Sequence, residues 1–180
     1  MARLPYLNRE DVPEAEREIF DRQAAERGGP VGNLFRVLAH APNLMQRFLK
    51  LGNHLRNHTQ LDPKLRELAL LTVGRLTGAE YELVHHWIIA RRLGIPREQL
   101  EHLAEFETSA LFDERERAVM RYAAEATTQV KVGDAAFDAI RSFLDNRRIM
   151  ELVMNVAYYN MVVRILVPTG VELEPGVVKR

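Results

Sequence analysis

Hydrophobic positions recur along this chain at the three-and-four spacing of amphipathic helices, and no stretch alternates with the period of two that a half-buried strand requires. The reading is therefore all-α. A first helix is expected after Asp11, with Pro13 in its first turn, running through EAEREIFDRQAAER to a break at Gly28 and Gly29. Asn33 is expected to cap the short helix LFRVLAH, and from Pro42 a further helix carries Leu44, Phe48, Leu51 and Leu55 as its apolar stripe. Asp62-Pro63 is a strong helix start, an acceptor for free N–H groups followed by a residue that has none. The helix it opens, closed by Thr77-Gly78, is apolar almost all round (Leu65, Leu68, Ala69, Leu70, Leu71, Val73, Leu76), which marks it as buried. The next begins near Ala79 and stops at Gly94, in Leu-Gly-Ile-Pro. Further helices are expected at 97–106, at 114–127 behind an Asp113/Glu116 capping box, at 134–145, and in a long apolar segment capped by Asn146. Past Val167, PTGVELEPGVVKR reads as a surface tail, 168–180.

Three polar side chains stand against this pattern. At about 100° per residue from Ala79, one helix face collects Ala79, Glu82, Leu83, His86, Ile89, Ala90 and Leu93. Glu82 and His86 are one turn apart on an otherwise apolar face. The opposite side carries Glu80, Tyr81, His85, Arg91 and Arg92, but also Val84 and Ile88. Glu67 sits near the start of the buried helix before it. A buried carboxylate costs several kcal/mol unless it is paired or protonated. Histidine is the partner able to exchange a proton near neutrality. A short Thr-Gly break lays the two helices antiparallel, but spacing leaves open whether Glu67 reaches His86. On a surface helix the same Glu82–His86 pair is an ion pair worth a few tenths of a kcal/mol. His54 and His58 repeat the i, i+4 spacing among Asn53, Arg56, Asn57 and Thr59, which reads as solvated, with no third group to complete a metal site.

Composition narrows the chemistry. The length of 180 residues suits one domain, 1–180, large enough for its own core. Lys plus Arg and Asp plus Glu are 25 each, so no net field draws nucleic acid or an anionic membrane, and neither is expected as a partner. There is no cysteine, which excludes disulfides, thiolate metal sites and cysteine nucleophiles. The opening MARLPYLNREDVPEAERE has charges where a secretory signal carries its apolar core, so a cytoplasmic location is expected. The apolar run from Ile149 to Val167 is interrupted by Glu151, Asn155, Asn160 and Arg164, which favours a buried helix or an oligomer contact over a membrane span.

At these residues the chain resembles the carboxymuconolactone decarboxylase family, whose fold group includes the alkylhydroperoxidase D-type peroxidases. The resemblance rests on RELA, then RLTGAEYELVHHWIIA, then a Gly-Ile-Pro break. It covers about 61–103, with 1–60 as an N-terminal helical extension, and NVAYYNMVVRILVPTGVELEP resembles the C-terminal part of longer members. It implies an alkylhydroperoxidase D-like helical domain built on a central antiparallel hairpin. It also implies a homo-oligomer, trimer or hexamer, with a dimer as the smaller possibility. The peroxidase branch uses a glutamate, two cysteines three apart and a histidine four beyond the second. Here these positions hold Glu67, Ala79, Glu82 and His86, with Tyr81 between the former cysteine positions. Without a thiolate nucleophile that thiol mechanism is closed. The acid–base half remains and resembles the decarboxylase branch, which acts on a lactone acid without a cofactor.

The resemblance implies Glu67, His86 and Glu82 as catalytic residues. His86 would be proton donor, Glu67 would orient it, and Glu82 would be a second acid–base group. Tyr81 and Trp87 are candidate pocket walls, and Arg75 and Arg164 candidate anchors for an acidic substrate. The expectation is a cofactor-free lyase or isomerase for a small carboxylated or lactone-type metabolite, with no metal. Two other readings are a non-catalytic small-molecule-binding or structural oligomer, and a metal-dependent hydrolase.

Overall fold

A computed structural model of the chain describes residues 2–27 and 29–178. Gly28, half of the expected first break, lies outside the described residues, as do Met1 and the last two positions of the tail. Every regular element among the described residues is helical, as the periodicity requires. The chain forms two compact units, 2–58 with 166–177 and 59–165.

In the first unit, 3-10 turns at Arg9–Asp11 and Glu14–Glu16 precede α1 (Glu18–Arg27). The first helix thus starts later than expected. Val12, held extended by the proline after it, interrupts the helix, and the Asp11 carboxylate accepts from Asn8 N instead (2.8 Å). Asn33 is the first residue of α2 (Asn33–Leu38) and not its cap. Its backbone N donates to Glu174 Oε1 (2.6 Å) and its Nδ2 to the Glu172 carbonyl (3.0 Å), which pins the C-terminal tail. On α3 (Pro42–Asn57) the buried face is Met45, Gly52 and Leu55, whereas Leu44 is 67% exposed and Leu51 38%. The expected stripe is corrected by about one residue, because Met45 fills the small core made with Val12, Phe20 and Ala39.

The second unit is organised on α4 (Pro63–Leu76), which packs between α5 (Glu80–Arg92) and α7 (Glu114–Thr128). Asp62 caps α4 by accepting from Lys64 N and Leu65 N, and Pro63 occupies the first turn. Leu68, Ala69, Leu71 and Val73 are fully buried, as an all-apolar helix demands. The hairpin break is a left-handed Gly78 (φ 65°), with Ala79 N donating to the Gly74 carbonyl (3.0 Å). Gly94 (φ 85°) closes α5 in the same way, through Ile95 N to the Ala90 carbonyl.

After the hairpin, the expected helix at 97–106 divides into α6 (Arg97–Glu101) and a 3-10 turn, Leu103–Glu105. The Asp113/Glu116 capping box forms at 2.8 and 2.9 Å. The segment 134–145 is helical only over α8 (Asp134–Arg141). Helix α9 (Asn146–Thr169) is capped by Asp145, whose Oδ1 accepts from Arg148 N (2.8 Å), one residue before the expected Asn146. Glu151 interrupts the apolar run because it caps the strap before α4, accepting from Gln60 N (2.7 Å) and Leu61 N (2.8 Å).

Candidate functional site

The hairpin brings its three anomalous polar residues into one buried chain of charges. Glu67, on the second turn of α4, is 1% exposed, and His86, midway along α5, is 4% exposed. His86 Nδ1 donates to Glu67 Oε2 at 2.5 Å, and His86 Nε2 lies 2.7 Å from Glu82 Oε1 one turn earlier. The antiparallel hairpin therefore closes the distance that spacing left open. On its far side Glu67 accepts from Arg66, through Nε (3.1 Å) and Nη2 (3.0 Å) to Oε1. The order is Arg66, Glu67, His86, Glu82: two cations alternating with two carboxylates.

This alternation sets the protonation states. Burial alone would raise the Glu67 carboxyl, but the charges of His86 and Arg66 outweigh it and hold the group below the usual carboxylate range. Burial would lower His86, yet the carboxylates of Glu67 and Glu82 on its two nitrogens raise it to about 9. At neutral pH His86 is thus an imidazolium with both N–H groups directed at carboxylates. Two aromatic residues of α9 complete the surroundings. Tyr159 sets its ring edge-on to His86 (centroids 4.7 Å apart, 86° between planes) and Tyr158 packs against Tyr159 (5.4 Å). The Tyr158 hydroxyl is pushed well up, first by burial and then by the Glu82 charge.

The other expected site residues fall elsewhere. Tyr81 is buried (7% exposed) and stacks on His85 at 4.3 Å, although helical phase set it on the less covered side. Trp87 belongs to the hydrophobic core of the second unit. Arg75 is half-buried in the last turn of α4, with Nε buried and unpartnered. Arg164 is exposed and bonds the Asn160 carbonyl (2.8 Å) and Oδ1 (2.7 Å). Neither arginine bonds to the three central residues. Sequence reasoning missed Arg66, Tyr158 and Tyr159. A usable signal existed for Arg66, since a Glu in an apolar helix needs compensation and its chain neighbour is a cation. For the tyrosines it lay in the YYN run inside the apolar helix.

A model of the carboxymuconolactone decarboxylase family matches residues 42–125. That is wider than the 61–103 expected from the motif and takes in α3 to most of α7. No curated protein matches the chain in sequence. Among solved structures, an uncharacterized peroxidase-related protein from Silicibacter sp. TM1040 superposes with a TM-score of 0.82 at 21% identity, over 98% of this chain and 93% of that one. An alkylhydroperoxidase AhpD core protein from Ralstonia eutropha JMP134, also peroxidase-related and uncharacterized, gives 0.82 at 20%, over 97% and 93%. A cysteine-to-alanine variant of the debrominase Bmp8, in complex with 2,3,4-tribromopyrrole, gives 0.81 at 20%, over 97% and 95%. At these identities the likeness concerns the fold, and it agrees with the alkylhydroperoxidase D-like architecture.

Proposed function

Residues 42–125 make this chain a member of the carboxymuconolactone decarboxylase family, and from that premise we propose a cofactor-free acid–base lyase or isomerase acting on a small carboxylated or lactone-type metabolite. The observation that carries the reading is the buried relay Arg66–Glu67–His86–Glu82, with a histidine charged at neutral pH at its centre. Both His86 nitrogens are engaged, so its proton leaves by way of Glu82. The second Glu82 oxygen takes part in no described bond. In the proposed reaction the substrate carboxylate departs as carbon dioxide and its bonding pair delocalises into the lactone as a dienolate. Glu82, supplied by His86, protonates the carbon, and His86 regains its proton from water. Arg66 and Glu67 hold the imidazolium in place; giving up the proton leaves the relay with one net negative charge, and uptake of a proton from water restores neutrality.

Thiol chemistry has no part in this proposal, since the chain has no cysteine. From the debrominase complex we carry over only the scale of the ligand, a small planar ring. The test is turnover of a panel of lactone acids by the purified chain. Glu82→Gln and His86→Gln are each expected to lower kcat/KM by at least about 10²-fold, and undiminished turnover in both would overturn the assignment.

One observation favours a second reading. The four buried charges sum to zero and pair with one another, as they would in a purely structural network. On that reading no lactone acid is turned over, and the same substitutions change stability alone.

A further inference from the structure

The first unit holds a cavity of about 900 Å³ between α1 and α3 to which neither the family match nor the relay assigns a role. None of Glu67, His86 and Glu82 lines it. Its polar lining is one-sided. Arg47, Lys50 and His54 follow one another at intervals of three and four along α3, His58 stands just past its end, and Arg22 lies on α1. No carboxylate is among the described lining residues. Arg22 is partly neutralised by Glu18 one turn away (2.7 Å), whereas Arg47 and Lys50 have no carboxylate partner among the described residues. In a chain of zero net charge this is a local excess of cations.

A second, independent observation lies at the same place. Gln23 of α1 lines the cavity and is only 2% exposed, yet its Oε1 is buried with no hydrogen-bond partner. An unsatisfied buried amide oxygen is costly, and natural folds rarely leave one without cause. The terminal torsion of glutamine is soft, so a small rotation turns Oε1 to a donor placed in the cavity. The walls beside it, Ile19, Leu49 and Leu51, are apolar.

We propose that the α1–α3 cavity binds a small hydroxyl-bearing organic oxyanion, with Arg47 and Lys50 holding the oxyanion and Gln23 Oε1 accepting from a ligand hydroxyl. The volume lies within the range of small-molecule sites. The two unmet demands are complementary: cations lacking an anion, and an acceptor lacking a donor. A phosphate monoester and a hydroxycarboxylate share this chemistry. An inorganic anion satisfies only the cations, and a neutral polyol only the glutamine.

The experiment is an isothermal and NMR titration of the full chain with glycerol 3-phosphate, citrate, inorganic phosphate and glycerol. The expected result is saturable binding of glycerol 3-phosphate or citrate with shifts in α1 and α3 amides, weaker binding of inorganic phosphate, and none of glycerol. Arg47→Gln with Lys50→Gln, both at exposed positions, should weaken the organic anion by at least about tenfold, since a charge-assisted hydrogen bond is worth about that much. Gln23→Met should bring it down to the affinity of inorganic phosphate. No saturable binding of either organic anion, or undiminished affinity in the double variant, overturns the site. Equal affinity for glycerol 3-phosphate, citrate and inorganic phosphate overturns the role of Gln23.

Discussion

Glu67 touches both cations of the relay, so its removal leaves two buried positive charges facing one carboxylate. Glu67→Gln should therefore destabilise the fold by about 3–5 kcal/mol, the usual cost of breaking a buried pair, as read from urea denaturation. Arg66→Met combined with Glu67→Gln should cost less than the sum of the two changes, because the second removes a charge that the first has already stranded. The pH dependence follows from the same contacts. The His86 pKa is raised in the folded state, from 6.5 to about 9, so its contribution is complete below about 6.5 and is lost as pH rises through about 9. The Glu67 pKa is lowered, so its contribution is present above its ordinary 4.5 and is lost as pH falls through the depressed value. Stability should thus be greatest between these limits and decline across pH 6.5 to 9. In His86→Gln the alkaline decline should be absent; urea midpoints at pH 6, 8 and 9.5 check this. Glu67, Glu82 and His86 were legible in the sequence because each puts a polar group where the helical period demands an apolar one. Arg66 carried a weaker signal, as the cation next to a buried glutamate, but only the packed helix shows that its guanidinium turns to Glu67 and is itself buried.

The α4–α5 hairpin is the element that makes the site, and two glycines show how. Gly78 has a positive φ that only glycine adopts freely, so Gly78→Ala should cost about 1 kcal/mol. Gly74 faces α5, where an added Cβ would meet Leu83 N at 3.4 Å, an ordinary contact. Gly74→Ala should then be neutral or stabilising by up to about 1 kcal/mol through helix propensity. Opposite signs for the pair in thermal melts would confirm that the turn, and not helix-to-helix proximity, is what requires glycine. The hairpin was readable because its start and stop signals are local: Asp62-Pro63, Thr77-Gly78 and Leu93-Gly94. The misplaced boundaries at Asp11, Asn33 and Asn146 share another cause. Each rested on a residue whose side chain can cap, while the structure gives the capping of α9 to Asp145, uses Asp11 in the capping box of the 3-10 turn Arg9–Asp11, and ties Asn33 to the C-terminal tail and to Arg36.

At the scale of the whole molecule, α9 exposes Met150 (57%), Met154 (38%) and Met161 (42%), with Ala157 between them, at the four-and-three spacing of a helix-pairing seam. Such a row of exposed methionines is unusual on a surface that meets only water. We propose that copies of the chain associate along this seam, in keeping with the homo-oligomer expected from the family resemblance. Met154→Glu with Met161→Glu should lower the molar mass measured by light scattering to that of a single chain and leave the helical circular dichroism unchanged. An unchanged mass would place any assembly elsewhere. The relay, the hairpin and most of the second unit's core lie between residues 59 and 165, whereas the cationic cavity belongs to the N-terminal unit, whose helices were the hardest to place from the sequence.

By itself the sequence determined the all-helical class, the central hairpin with its caps, the absence of thiol chemistry, and the presence of carboxylate and imidazole groups in a buried setting. These follow from local propensity, period and composition, which act over a turn or two of helix. Only the tertiary structure decided that Glu67 and His86 touch, that Arg66 compensates them, that Tyr159 closes over the imidazole, and that Arg164 turns to Asn160 rather than to the site. It also decided that Gln23 is buried without a partner beside a row of cations. Each of these depends on which faces of separate helices meet, and the packing that sets those faces is shared among residues distant in the chain.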